Sequence, residues 1–346
     1  MKTFDVLVVG GGPAGATVSF CLARQGCSVG LLEATAYEPP RYGETLPPEV
    51  DPVLRELGLW NSFLDLSPLE APGRVVAWGN ATPVGVDFIS NAYGSGWHID
   101  RNAFDRMLIT EAEKAGAKVM LRQRVSRCSR EDGCWNADGW RSRILIDASG
   151  RTGLRLGNVD REVDDTLLAI ALSVSGSHRH EKDLRTYIEA APSGWWYTAP
   201  LPQGTTIVMF FTDPLTYRQE GVVIGEHLKE APLTARRLQG GHIQNSNVLQ
   251  VSSSYRTAVF GEGWLAVGDS ACSYDPISGR GIFNALHWGK SASAVITECL
   301  QGNMEPATQY ADQLRRDYDE YVRQRRLYYA SERRWPEHSF WSGRRI

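Results

Sequence analysis

Gly10, Gly12 and Gly15 fall in the order G-x-G-x-x-G, directly after the apolar run FDVLVV and directly before ATVSFCLARQG, which reads as a helix. A strand, a glycine turn and a helix in that order make a phosphate cradle. Gly10 permits the tight turn, Gly12 lets backbone approach a pyrophosphate, and Gly15 lets the helix pack close to the strand. Pro13 and Ala14 stand at the helix entry, where unpaired N–H groups and the positive dipole end favour phosphate oxygens. A second β-rich run, CSVGLLE, closes the unit at Glu33. A carboxylate there can accept from both hydroxyls of a ribose and disfavours a 2′-phosphate.

That unit alone does not separate NAD from FAD. A distant segment does: the run WLAVGD ends in Gly268-Asp269 and leads into SACSYDPISGRGIFNALHWGKSASAV. A strand, a Gly-Asp turn and a glycine-rich entry into a helix, through Gly279 and Gly281, form a second phosphate-reaching site. Its helix can aim its positive end at a flavin ring, where negative charge develops on reduction. FAD is the cofactor that the two segments together imply.

The elements that must position these residues are readable in outline. The chain has 346 residues, 42% hydrophobic, enough for two domains or one large α/β unit. Strands are expected at 74–79 and 84–89, a helix followed by a strand after Arg101, and an apolar strand ending in Asp147-Ala148-Ser149-Gly150. Short β runs from about 160 to 260 suggest a mostly antiparallel, substrate-facing sheet. Tyr310, Leu314, Tyr318, Tyr321, Val322 and Tyr328 have the spacing of an amphipathic helix. The expected fold is α/β. An FAD-binding Rossmann-type domain (1–71, 98–155 and 255–302) is interleaved with a mostly antiparallel β substrate domain (72–97 and 156–254), and 303–346 form a C-terminal helix and tail. Nine arginines between Arg315 and Arg345 read either as a solvated helix face with a packed tail or as a docking surface for an acidic partner.

Other function classes recede. A net charge of -3 gives no basic field for nucleic acid. No apolar run reaches the roughly 18 residues of a membrane span, and the N-terminus does not read as a signal peptide, so the expected location is the cytoplasm. Six scattered cysteines without C-x-x-C are expected to be reduced thiols. The histidines are dispersed, with His178 and His180 two apart in a polar stretch, and no metal site is expected.

The motifs G-G-G-P-A-G, R-Y-G-E-T-L-P-P, D-R-N-A-F-D, I-D-A-S-G-R and G-D-S-A-C-S-Y-D-P-I-S-G-R-G-I occur in this order. Together they resemble the flavoprotein hydroxylase and halogenase superfamily, whose fold is that of p-hydroxybenzoate hydroxylase. The resemblance covers roughly 4–60, 96–155 and 255–330. It implies that Arg41, Arg101 and Asp269 contact FAD, with Ala34, Val125, Asp147, Ser149 and Gly150 also at the cofactor. It places the stretch Pro276–Gly281, followed by Ile282, at the isoalloxazine edge, with Pro276 at the reacting side.

Within the superfamily, Gly194-Trp195-Trp196-Tyr197-Thr198-Ala199-Pro200 is similar to the W-x-W-x-I-P motif of tryptophan halogenases, with Tyr197 at the second Trp and Ala199 at the Ile. Flavin halogenases also use a lysine in the region before Lys114, where this chain has none after Lys2, and a carboxylate where it has Ser278. The short length and the Arg- and Trp-containing tail look more like the flavoproteins that mature lysine ε-oxidase and glycine oxidase, which carry cysteine tryptophylquinone. That resemblance implies a monooxygenase in which a flavin C4a-hydroperoxide hydroxylates a tryptophan of a partner protein or peptide. Molecular oxygen is then the co-substrate, and NAD(P)H or a separate reductase the electron donor. Trp195, Trp196 and Tyr197 are candidates to line the substrate site, although a tryptophan pair beside a β run also suits a core. Glu44 is the candidate acid–base or positioning carboxylate, or else a structural partner of Arg41. The alternatives are a reductase of the geranylgeranyl type, a halogenase, and a non-catalytic FAD-binding docking protein.

Overall fold

Strand Thr3–Val9 is buried on both faces along Val6–Val9 and therefore sits at the centre of a parallel sheet. In the computed structural model, which describes residues 3–157, 159–177, 183–220 and 224–344, the neighbours of this strand are Val29–Glu33 and Trp140–Asp147. Lys118–Leu121 extends the sheet on one side and Trp264–Ala266 on the other, all parallel. His178, His180 and Arg345 lie outside the described residues.

The strand order turns back at Thr3–Val9, so a crevice opens beyond the carboxyl ends of this strand and Trp140–Asp147, the usual ligand position in such sheets. Helix Pro13–Arg24 starts there. The twenty-residue helix Gly281–Leu300 crosses it closely: a Cβ on Gly289 would press on the Ala14 carbonyl oxygen at 2.8 Å. No helix among the described residues is long and apolar enough to cross a membrane.

A second sheet has seven strands in the order His242–Gln250, Leu168–Ser175, Thr205–Thr212, Gly194–Pro200, Thr186–Ala191, Gly73–Ala77, Val84–Asp87. Every pair in it is antiparallel except Thr186–Ala191 with Gly73–Ala77. Side chains alternate between its faces. Trp195 and Phe211 stand opposite each other on one face, with Ala169 and Met209 in the same cluster. Trp196 and Phe210 are paired on the other, among Ile170, Leu172 and Val208. Trp196, expected to line the substrate site beside Trp195, therefore faces away from it: neighbouring residues of a strand cannot share a face.

The C-terminal helix, Glu305–Ser331, buries Tyr310, Leu314, Tyr318 and Tyr329. Beyond it Phe340 and Trp341 are fully buried against the second sheet, and the Trp341 indole N–H donates to the Ala191 carbonyl at 3.0 Å. The tail is packed. Arg325 and Arg344 are buried and flank Asp165 at 3.5 and 2.9 Å, so these two arginines are spent inside the fold.

Candidate active site

The three glycines of the first turn are required for different reasons. Gly10 has φ +110°, and a Cβ there would overlap the Ala148 carbonyl oxygen. A Cβ on Gly15 would overlap the Gly10 carbonyl oxygen. Gly12 has φ -72° and ψ -179°, a conformation open to any residue, and a Cβ on it would meet nothing within 4 Å. Nothing among the described residues requires glycine at 12, but Gly12 lines a cavity of about 540 Å³. The amides of Ala14 and Gly15 open the helix and have no acceptor within it, since the first helical bond runs from the Ala16 N–H to the Gly12 carbonyl. This cradle fits a pyrophosphate.

Glu33 ends its strand as expected. Its Oε2 accepts from the Gly11 N–H at 2.8 Å, and its Oε1 from the Thr35 N–H and hydroxyl and from Arg41 at 2.9 Å. Arg41 also pairs with Asp105 at 2.9 Å and lies over the Tyr37 ring. Arg101 shares the same buried Asp105 and donates to the Tyr42 carbonyl. One buried carboxylate thus holds two guanidiniums beside the cavity.

Asp147 has both oxygens engaged, Oδ1 by Ser149 and Oδ2 by the Leu154 N–H at 2.7 Å and Arg256 at 2.6 Å. It braces the turn that presents Gly150, whose φ is +82°. Gly268, at φ +63°, turns the chain so that Asp269 reaches the cavity, where Arg151 pairs with it at 3.3 Å.

At the far side, the Asp275 carboxylate caps its own turn by accepting from the Ile277 N–H at 2.9 Å. Gly279, at φ +62°, then redirects the chain into the helix that starts at Gly281. Pro276, Gly279, Gly281 and Ile282 line the cavity. Asp275 Oδ2 accepts from the Tyr329 hydroxyl at 2.8 Å, and the Tyr329 oxygen accepts from the Trp195 indole N–H at 3.0 Å. A hydrogen-bonded chain thus ties this turn to the second sheet. The Asp275 N–H also donates to the Tyr321 hydroxyl at 2.7 Å. Sequence reasoning missed Asp275, Tyr321 and Tyr329; Tyr321 showed only as part of a helical spacing, and that spacing pointed to Tyr328 where the structure buries Tyr329.

The opposite wall is aromatic. Trp195 stacks on Phe211 with ring centroids 3.8 Å apart, and both line the cavity with Tyr197 and Met209. Glu44 lines it too. The carboxyl is buried, its Oε2 has no hydrogen-bond partner among the described residues, and burial pushes its pKa up to about 7 against the opposing pull of Arg101 and the nearby backbone amides. It is not the partner of Arg41, which Glu33 and Asp105 hold. The Tyr197 hydroxyl lies 2.6 Å from Thr45 Oγ1, which is 2.9 Å from Nδ1 of the buried His98.

The cavity therefore brings together Gly12, Pro13, Ala14, Glu44, Arg101, Gly150, Trp195, Tyr197, Asp269 and the 276–282 turn. Glu33, Arg41, Asp147 and Ser149 stand behind it. Ala34 is exposed at the end of its strand, and Val125 is half-buried against the main core.

The tryptophan halogenase family model matches residues 65–345. The chain is 28% identical to LodB of Marinomonas mediterranea, a protein described as an FAD-dependent oxidoreductase, over 99% of this chain and 97% of that one. Among solved structures, the flavin-dependent halogenase CmlS superposes with a TM-score of 0.89 at 24% identity, covering 100% of this chain and 68% of its own. The peptidyl tryptophan dihydroxylase QhpG, described as essential for tryptophylquinone cofactor biogenesis, does so with a TM-score of 0.76 at 22% identity, covering 99% and 79%. The chain belongs to the tryptophan halogenase family, within the flavoprotein monooxygenase and halogenase superfamily.

Proposed function

We propose that this chain is an FAD-dependent monooxygenase that hydroxylates an electron-rich aromatic ring, the indole of a tryptophan held in a partner protein or peptide. The observation that carries this reading is the continuity of the cavity, which runs from the dinucleotide turn at Gly12 past Pro276–Ile282 to the aromatic wall of Trp195, Tyr197 and Phe211. The amides of Ala14 and Gly15 and the start of the helix at Gly281 would hold the phosphates and flavin, with Glu33 and Arg41 towards the ribose. Reduced FAD supplies the activation of molecular oxygen.

The protein's own work is positioning, exclusion of water and handling of protons. Trp195 and Phe211 form a flat stacked wall on which a substrate ring can lie. The Trp195–Tyr329–Asp275 chain fixes that wall relative to the 276–282 turn. Glu44, divided between its acid and carboxylate forms near neutrality, can give or take a proton at Oε2 inside the cavity. Six unpaired cysteines suit a reducing compartment such as the cytoplasm. The likeness over almost the whole chain to QhpG, described as a peptidyl tryptophan dihydroxylase, supports a protein-borne substrate. Electrons would come from NAD(P)H or a separate reductase.

Halogenation is the second reading, favoured by the family model itself. Against it, none of the described residues that line the cavity is a lysine, and Ser278 stands where halogenases carry a carboxylate. Incubation with FAD, NADH, a flavin reductase, oxygen, chloride and a tryptophan-containing peptide separates the two by mass spectrometry. Gain of oxygen supports hydroxylation; a product in which halogen replaces hydrogen overturns it.

A further inference from the structure

His98 Nε2 lies 2.7 Å from the Leu184 carbonyl oxygen. A carbonyl only accepts, so Nε2 carries a proton. The imidazole is buried beside Arg237, and burial lowers its pKa to about 4, so the ring is neutral and Nδ1 is a bare acceptor. Thr45 Oγ1, 2.9 Å from Nδ1, must therefore donate to it. Thr45 has one hydroxyl proton, now committed, so the Tyr197 hydroxyl at 2.6 Å must donate to Thr45. The direction of each bond in the chain follows from the one before it. Tyr197 consequently offers the cavity lone pairs and no proton.

We propose that Tyr197, with its proton committed through Thr45 to His98, is the acceptor that selects an aromatic ring bearing an N–H donor. His98 and Thr45 act as positioning residues, because they set the direction of the Tyr197 hydroxyl. The proposal deepens the reading of the site as one for an indole and rests on it for the identity of the ring. A ring of the same shape with an acceptor in place of N–H would face the Tyr197 lone pairs across the cavity, leaving two buried acceptors without a donor.

Indole and benzofuran are such a pair, alike in size and differing in N–H against O. Their affinities can be measured by titration calorimetry on the FAD-loaded, oxidised protein, in which no turnover occurs. The expected result is a preference for indole of about tenfold or more in the wild type. Tyr197→Phe should abolish it. Thr45→Val, isosteric at the relay, should collapse or invert it by releasing the Tyr197 proton towards the cavity. Equal affinities in the wild type, a preference that survives in both variants, or no binding of either ring overturns the proposal. Since the measurement involves no product, a failure of hydroxylation and a failure of this selection are distinguishable.

Discussion

Gly12→Ala separates a glycine kept for the fold from one kept for a ligand. The backbone at Gly12 is extended, and a Cβ there meets no protein atom within 4 Å. The residue is the N-cap of helix Pro13–Arg24 with no side-chain cap bond, so the internal cost of alanine is the modest difference in N-cap preference, under about 1 kcal/mol. In a chain of this size that lowers Tm by no more than a few degrees. The added methyl projects into the cavity, where a pyrophosphate in van der Waals contact would have to shift. Overpacking of that kind costs about 1–3 kcal/mol, a weakening of FAD affinity of roughly 5- to 150-fold. Gly15→Ala is the control with the opposite signature: its Cβ overlaps the Gly10 carbonyl oxygen, and the fold itself must yield. Apoprotein melting followed by FAD titration, monitored by flavin fluorescence, reads both quantities. The reasoning fails if Gly12→Ala binds FAD within about twofold of the wild type, or if its Tm falls as far as that of Gly15→Ala.

Glu44→Gln tests the buried carboxyl. Its pKa is raised from 4.5 to about 7, so the folded protein keeps a proton that the unfolded chain has released between those values. Stability is then fully present below 4.5 and is lost as pH rises through about 7, so the variant should match the wild type near 4.5 and exceed it in Tm above 7. Parallel pH–Tm curves would count against an ionising Glu44. Tyr329→Phe orphans the Trp195 N–H and Asp275 Oδ2 together, a loss of about 1–3 kcal/mol for each buried group, visible as a lower Tm. An unchanged melt would mean that the chain of bonds does not hold the turn. Trp341→Ala removes a fully buried indole that donates to the Ala191 carbonyl and should cost about 3–5 kcal/mol. A small effect in urea unfolding would return the tail to the role of a docking surface.

Much of the site was legible because its signals are local. The glycine turn is read from six consecutive residues, and Glu33 from the end of the next strand. Gly268-Asp269 and the entry to the long helix follow in the same way. The aromatic wall was half legible. Trp195 and Tyr197 share a face by the period of a strand, but sequence does not say which face, so Trp196 reads as a candidate for the wall as well. Arg41 illustrates another limit. Glu44 is three residues away in the chain, yet Asp105, a turn along the helix from Arg101 and 64 positions distant, is its partner. Burial of Asp105 behind two guanidiniums is a property of how loop and helix meet, and no spacing announces it.

The least legible feature is the brace on the 276–282 turn, and its physical logic accounts for that. The turn begins at a proline and reverses through a glycine at positive φ, so few backbone bonds of its own hold it. It is braced by two residues of the C-terminal helix, Tyr321 and Tyr329, eight apart and therefore on one face, with Arg325 between them. Tyr321 receives the Asp275 N–H, Tyr329 donates to the Asp275 carboxylate 54 residues away, and Arg325 between them pairs with Asp165. In the sequence these tyrosines look like any apolar stripe, because a buried hydroxyl that meets a partner and one that packs are written with the same letter. The same Tyr329 oxygen receives Trp195, 134 residues away, so the end of the chain couples the 276–282 turn to the aromatic wall. A helix that only covered the core would need none of those hydroxyls. Their pairing with one aspartate makes the C-terminal segment part of the frame of the candidate site.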